Sequence, residues 1–452
     1  MRTSINRTFT DVGELVCDPG AARVYEHGWQ SWSPTTTYAL HDRPYRPADD
    51  NLRVVNYRAD GSAPEGSFQG EGLLAVQEDR GGPVHLFAAH PGADTVPSIR
   101  ARVQDRVVVV AADGAVQQLV DDGPGGISGA LSRWADGYAS ALAVGPIGSA
   151  PTIWCSWYQY FRQVTEQDVL ENLDALAELR LPVDVVQVDD GYQAEIGDWL
   201  TPSGRFRSLG DLVARIRDQG RRAGIWMAPF LTGQRSQLYA EHPEWLVGNA
   251  SAGRNWHQEV FPLDVTHPGA AEHLGRVFST LRRLGIDFFK IDFLYAGALE
   301  GHRHQDVPPV EAFRRGLRLI RDAIGPESYL LGCGAPILPS VGLVDAMRVS
   351  PDTGPDYEPL RGDLSQPSVR SAALSGLGRA WQHGRFWVND PDCLLARPQV
   401  ERREDWAVRI ERYGGLRGSS DRLRDLDEWG LQTTRRLLST VPPPRPFALD
   451  PA

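Results

Sequence analysis

The chain has 452 residues, 41% hydrophobic and 23% charged, enough to bury a large core and to form more than one domain. Its 58 acidic against 47 basic residues leave a net charge of −11, which argues against polyanion partners such as nucleic acid and leaves neutral ligands open. Four scattered cysteines without C-x-x-C spacing indicate neither a zinc site nor a disulfide framework. Residues 1–10 lack an apolar leader and no run of 18 apolar residues exists, so a soluble, cytoplasmic protein is expected.

In chain order, short β-prone runs at residues 22–25, 52–57, 72–77, 84–88 and 106–111 are broken by Gly, Pro, Asp and Asn. This is the pattern of an antiparallel sandwich, placed at residues 1–127. Residues 128–150 read as a helical linker, because Leu131, Trp134, Tyr138 and Leu142 recur at three- and four-residue intervals before Gly145-Pro146. From residue 151 apolar strands alternate with amphipathic helices. Eight strands are expected at 152–157, 183–189, 224–229, 287–293, 329–333, 346–350, 385–390 and 413–419, with helices such as 166–179 and 209–222 between them. The fold class is therefore α/β, a (β/α)8 TIM barrel over residues 151–430 preceded by an N-terminal antiparallel β-sandwich domain. Residues 431–452, with Pro442-Pro443-Pro444, are expected as an extended C-terminal tail.

A TIM barrel builds its site at the carboxyl ends of its strands, and polar residues collect there. Strand one ends in Trp154-Cys155-Ser156-Trp157-Tyr158, strand two in Asp189-Asp190-Gly191-Tyr192 and strand three in Trp226-Met227-Ala228-Pro229. Strand four offers Lys290 and Asp292, strand five Gly332-Cys333-Gly334, and strand six Arg348 followed by Ser350-Pro351-Asp352. Strands seven and eight give Asn389-Asp390-Pro391-Asp392 and Ser419-Ser420-Asp421.

Lys290 and Asp292, two residues apart in an apolar run, share one strand face, where the ammonium is expected to keep Asp292 ionised. Asp352, two strands around the barrel, is positioned to face Asp292 across a sugar. Glycoside hydrolysis needs such a pair, one carboxylate and one carboxylic acid. Arg348 beside Asp352 would bind hydroxyls but pull the acid's pKa down, so desolvation must reverse that pull. The consecutive Asp189 and Asp190 need bound hydroxyls or cations to offset their repulsion. Asp392 and Asp421 read as turn or helix-capping residues. The run His302-Arg303-His304-Gln305-Asp306, beside Gly301 and Pro308-Pro309, reads as a solvated loop more readily than as a metal site. No P-loop or G-x-G-x-x-G follows a strand. Neither a metal nor an organic cofactor is expected. Thirteen tryptophans against three methionines suit sugar faces as well as cores.

Val188-Asp189-Asp190-Gly191-Tyr192, Lys290-Ile291-Asp292-Phe293, residues 348–352 and Trp387-Val388-Asn389-Asp390-Pro391-Asp392, in this order, resemble glycoside hydrolase family 36, the bacterial α-galactosidases or melibiases. The resemblance extends over most of the chain. It implies that Asp292 is the nucleophile and Asp352 the general acid/base of a retaining double displacement. It further implies that Asp189 and Asp190 hold the 4- and 6-hydroxyls of galactose, that Trp226 lies against the ring, and that Lys290, Cys333 and Arg348 reach the remaining hydroxyls. Trp157 joins the substrate-binding set. A tryptophan of His27-Gly28-Trp29-Gln30-Ser31-Trp32-Ser33 is expected to enter the site from the sandwich, Trp32 in preference to Trp29.

Two departures stand out. Cys333-Gly334-Ala335-Pro336-Ile337 replaces the glycine-rich run that many members carry after this cysteine, and almost none of the substantial C-terminal β-domain that many also carry is expected in this sequence. The implied function is release of terminal α-linked galactose from small oligosaccharides such as melibiose or raffinose. Transfer to a second sugar, as in raffinose and stachyose synthases, or action on a 2-acetamido sugar remain open on the same scaffold. A non-catalytic sugar-binding protein and a metal-dependent barrel hydrolase are the readings from other classes. The expected partner is a small oligosaccharide, with neither nucleic acid nor membrane, and homo-oligomerisation is left open.

Overall fold

Period-2 alternation of apolar residues builds the first domain from two antiparallel sheets in a computed structural model that describes residues 7–59, 61 and 63–448. Residues 1–6 of the segment read for a leader, and the last four of the tail, lie outside the described residues. One sheet runs in the order Thr10–Val16, Val107–Ala112, Ser98–Gln104, Phe68–Glu71, the other Thr36–Ala39, Arg23–Glu26, Leu73–Gln77, Val84–Ala88, Gln117–Asp121. Val24, Phe68, Leu74, Val76, Phe87, Ile99, Val108 and Val110 fill the space between them.

The run 52–57, expected as a strand, is instead part of the helix Asp50–Asn56. Adjacent β-branched Val54 and Val55 suggest a strand, but Asp49 caps the segment by accepting the Leu52 amide at 3.0 Å, and the cap decides. The linker helix, Gly126–Ala141, buries Ile127, Ala130, Leu131, Trp134 and Tyr138 on one face. Trp134 meets Trp381 edge-on at 5.8 Å, which seats the helix against the barrel.

Eight parallel strands form the barrel: Thr152–Cys155, Val185–Val188, Arg222–Met227, Ile286–Ile291, Tyr329–Gly332, Ala346–Arg348, Val388–Asp390 and Arg417–Ser419, called strands one to eight below. Strand eight pairs with strand one, and strands seven and eight close the ring through the Leu416 amide, which donates to the Asn389 carbonyl at 3.0 Å. The strands are buried almost throughout, as a parallel sheet covered on both faces requires, with only Arg222, Asp287 and Tyr329 partly exposed near their amino ends. The helix Glu166–Glu178 starts with a reciprocal capping box between Thr165 and Asp168.

Two features differ from the sequence reading. After strand three a small antiparallel sheet, Leu231–Gly233, Gln258–Pro262 and Arg254–Asn255, rises over the barrel mouth. At the other end of the chain, the helix Glu428–Leu438 runs across the boundary expected at residue 430, capped by Asp427, whose side chain accepts the Gly430 amide. Strand eight needs an outer helix as the other strands do, so part of the expected tail is barrel.

Candidate active site

Strand four delivers Asp292 at its carboxyl end, where its amide donates to the Met227 carbonyl of strand three at 2.7 Å. The carboxylate accepts the Trp226 indole N–H at 3.0 Å and the Phe293 amide at 2.8 Å. Phe293 turns into the left-handed region (φ 52°), which ends the strand and aims that amide back at the carboxylate. Asp292 is thus held by two neutral donors.

Lys290 does not pair with Asp292. Its ammonium reaches Asp189 at the end of strand two at 2.9 Å, because in the curved sheet the inward faces of strands four and two, on either side of strand three, converge. Burial alone would lower the Lys290 pKa, but Asp189, joined by Cys155 and Asp292, outweighs it and holds the ammonium well above its ordinary value. Asp189 also accepts the Gln187 amide group at 2.7 Å and the Cys155 thiol at 3.4 Å. Asp190 accepts from Gln193 at 2.7 Å and from the Trp256 indole at 2.6 Å. Burial raises its pKa against those hydrogen bonds.

On strand six, Arg348 is enclosed by three carboxylates: Asp390 at 3.0 Å, Asp392 at 2.9 Å and Asp352 at 3.1 Å. Asp352 also accepts the Trp157 indole N–H at 3.3 Å, and its side chain is 28% exposed where the others are buried. Loss of hydration raises the Asp352 pKa; Arg348 and Lys290 oppose, and Asp292 and Asp189 reinforce the rise. Asp392, buried and bonded by the Tyr158 hydroxyl and the Thr353 amide, is itself pushed up to about 7, chiefly by burial. Its place in the Arg348 cluster goes beyond the turn role read from sequence. Asp421 fits its structural reading, accepting the Ala396 amide and pairing with Arg397.

The loop 27–33 of the sandwich enters beside strands four and five. The Ser31 amide donates to the Ala335 carbonyl at 3.2 Å and the Ile337 amide to the Trp29 carbonyl at 3.0 Å, so Ala335-Pro336-Ile337 receives the loop as a short ladder. Trp32 lies edge-on to Phe293 at 4.8 Å, and a Cβ on Gly334 would meet its ring at 2.9 Å, so only glycine permits this approach. The Trp32 indole N–H is buried without a protein acceptor. Trp29 points elsewhere, its ring covered by Arg58 at 4.6 Å and packed near Val96 and Val310. Cys333 is fully buried at the end of strand five, and burial, reinforced by Asp292, raises its thiol pKa well above the ordinary value.

The barrel therefore brings Asp189, Asp190, Trp226, Lys290, Asp292, Cys333, Arg348, Asp352, Trp157 and Trp32 to one end. Sequence reasoning missed Trp256. It sits in the two-residue turn between Asn255 and Gln258 with both turn residues at positive φ (51° and 56°), the geometry of a primed hairpin that ordinarily selects Asn or Gly. The only sequence hint is Asn255 before the turn. Among the described residues no three His, Cys, Asp or Glu side chains gather into a group that could hold a metal ion. The run 302–306 is tied down by the His304 amide, which donates to Asp264 at 2.6 Å. No helix among the described residues is long and apolar enough to cross a membrane.

Residues 148–305 match the Melibiase family model. Over 150 residues, 31% of the chain, it is 29% identical to the myogenesis-regulating glycosidase of Mus musculus, covering 20% of that protein. Over 166 residues it is 22% identical to α-galactosidase AgaA of Geobacillus stearothermophilus, covering 22% of it. These matches span about a fifth of each relative's length. In fold, α-galactosidase TtGalA of Thermus thermophilus, solved with p-nitrophenyl α-D-galactopyranoside, superposes with a TM-score of 0.79 at 26% identity, covering 96% of this chain and 92% of that one. AgaA superposes at 0.61 and 14% identity, a likeness of fold over 94% of this chain and 61% of its own.

Proposed function

We propose that the chain is an α-galactosidase of the glycoside hydrolase family 36 type, releasing terminal α-linked galactose from small oligosaccharides by a retaining double displacement. The observation that carries this reading is the contrast between two carboxyl groups at one barrel mouth. Asp292 is held by neutral donors with the Lys290–Asp189 pair beside it, whereas the Asp352 pKa is raised despite contact with Arg348. A carboxylate fixed by neutral donors suits a nucleophile, and a carboxyl group whose pKa is raised suits an acid.

In the first step a carboxylate oxygen of Asp292 bonds to the anomeric carbon while the bond to the leaving oxygen breaks. Asp352 gives that oxygen its proton, so an alcohol leaves and a β-galactosyl ester remains. In the second step Asp352, now ionised, takes a proton from water, whose oxygen displaces Asp292 and yields α-galactose. Asp189 and Asp190 accept from substrate hydroxyls. The Lys290 ammonium, the Arg348 guanidinium and the Cys333 thiol line the same pocket, Trp226 packs against the ring, and Trp32 supplies the indole N–H that lacks a protein acceptor. Arg348 is shared with Asp390 and Asp392, which weakens its hold on the acid. The four buried, unpaired cysteines suit a reducing compartment, the cytoplasm.

The test is turnover of p-nitrophenyl α-galactoside beside the β-galactoside, the α-glucoside and the 2-acetamido-α-galactoside, with the first-formed sugar followed by proton NMR. Selective cleavage of the α-galactoside with α-galactose appearing first is the expected result. Initial β-galactose would mean inversion, and preference for the acetamido sugar would change the substrate.

A further inference from the structure

A phenylalanine at the rim of the site has the wrong polarity for its exposure and the wrong backbone for its side chain. Phe161 is 48% exposed and adopts φ 47°, ψ −146°, a region that bulky L-residues avoid and that recurs where function holds a residue in place. Its ring stands edge-on to Trp157 at 5.1 Å and 76°. The next residue, Arg162, approaches Asp190 at 4.0 Å, and a Cβ on Gly191 would meet its carbonyl at 2.8 Å. Residues 157–162 therefore cross the barrel mouth from the acid Asp352 to the hydroxyl-binding Asp190.

The position of the acid says what lies against this segment. Asp352 must touch the glycosidic oxygen, so the departing sugar extends from the galactose on Asp352's side. Trp157 donates to that carboxylate at 3.3 Å, and Phe161 extends the aromatic surface outward from it. Aromatic rings pack well against the C–H face of a pyranose, and the half-buried Trp157 ring with the exposed Phe161 ring beside the acid offers such a face.

We propose that Trp157 and Phe161 form the subsite for the leaving-group sugar, a reading that rests on the galactosidase function above. Phe161 is its outer element and sets the preference for oligosaccharides over substrates with minimal leaving groups. Its displaced backbone is the price of pointing the ring at that sugar.

The experiment compares kcat/KM for raffinose and for α-galactosyl fluoride, whose leaving group is too small to reach the subsite. In Phe161→Ala the raffinose-to-fluoride ratio is expected to fall about three- to tenfold, the worth of one aromatic contact, and Phe161→Tyr, which keeps the ring, is expected to retain it. An unchanged ratio in Phe161→Ala, including an equal loss on both substrates, would overturn the subsite, as would an equal fall in Phe161→Tyr. Failure of the unmodified chain to cleave either substrate would remove the galactosidase reading and the subsite with it, an outcome distinct from turnover with an unchanged ratio.

Discussion

Arg348 shows how a single residue reconciles two demands. Its charge faces Asp390, Asp392 and Asp352, and burial, which alone would lower its pKa, is outweighed by Asp390 and Asp392. Around this cluster stand the Tyr158 hydroxyl from the helical turn Trp157–Tyr160 after strand one, the Cys333 thiol from the end of strand five, and Lys290, Asp292 and Asp189 from strands four and two and their ends. Because the Asp352 pKa is raised, its protonated form persists to higher pH, and the basic limb of kcat/KM should lie above the ordinary carboxylate range. Asp390→Asn removes the main counter-charge of Arg348, so the guanidinium would stabilise ionised Asp352 more. The pH profile is expected to show that limb at lower pH, whereas an unshifted limb would remove Asp390 from the electrostatics. Asp352→Ala should slow substrates with poor leaving groups at least about a hundredfold more than activated aryl galactosides, since only the former need the proton; equal losses would contradict the acid role. The carboxylates themselves were legible from their place after strands. Their partners were not: Lys290 lies two residues from Asp292 yet pairs with Asp189, 101 positions away, because barrel curvature, invisible in a linear pattern, chooses the partner.

At the scale of elements, strand positions were legible because buried parallel strands read as apolar runs between amphipathic helices. The small sheet after strand three was not. Its strands are two to five residues long, and its turn holds Trp256 and His257 where Asn or Gly would announce a hairpin. That turn carries the donor to Asp190, so Trp256→Phe, which keeps the ring and removes the N–H, is expected to lower kcat/KM about tenfold or more, as for a hydrogen bond to a charged group. Steady-state kinetics on an aryl α-galactoside would check this, and an unchanged value would show that the hairpin merely covers the site.

Across the whole molecule, one buried cation is among the contacts that join the two domains. The Arg379 guanidinium donates to the carbonyls of Ser31 at 2.8 Å, Gln30 at 2.9 Å, Ser33 at 3.1 Å and Gly28 at 3.3 Å in the sandwich, and of Val349 at 2.9 Å in the barrel. Burial lowers its pKa to about 10, still far above neutrality, so it remains charged. No pattern in the sequence singles this arginine out, since its partners are backbone atoms, four of the five some 350 positions away. Arg379→Met would take one donor from each of five carbonyls and is expected to destabilise the protein on the order of 3 kcal/mol or more. Thermal unfolding measures that loss, and a raised KM would report a displaced Trp32. The C-terminal segment also packs: Phe447 stacks on His383 at 3.9 Å, beside strand seven and its Arg348 counter-charges.

The assignment of Asp292 as nucleophile is tested most directly by Asp292→Gly assayed on an aryl α-galactoside with and without azide. Turnover should fall at least about a thousandfold, and azide, filling the vacated space, should restore it with β-galactosyl azide as product. Unimpaired turnover without azide, or recovery of the α-azide, would contradict the double displacement.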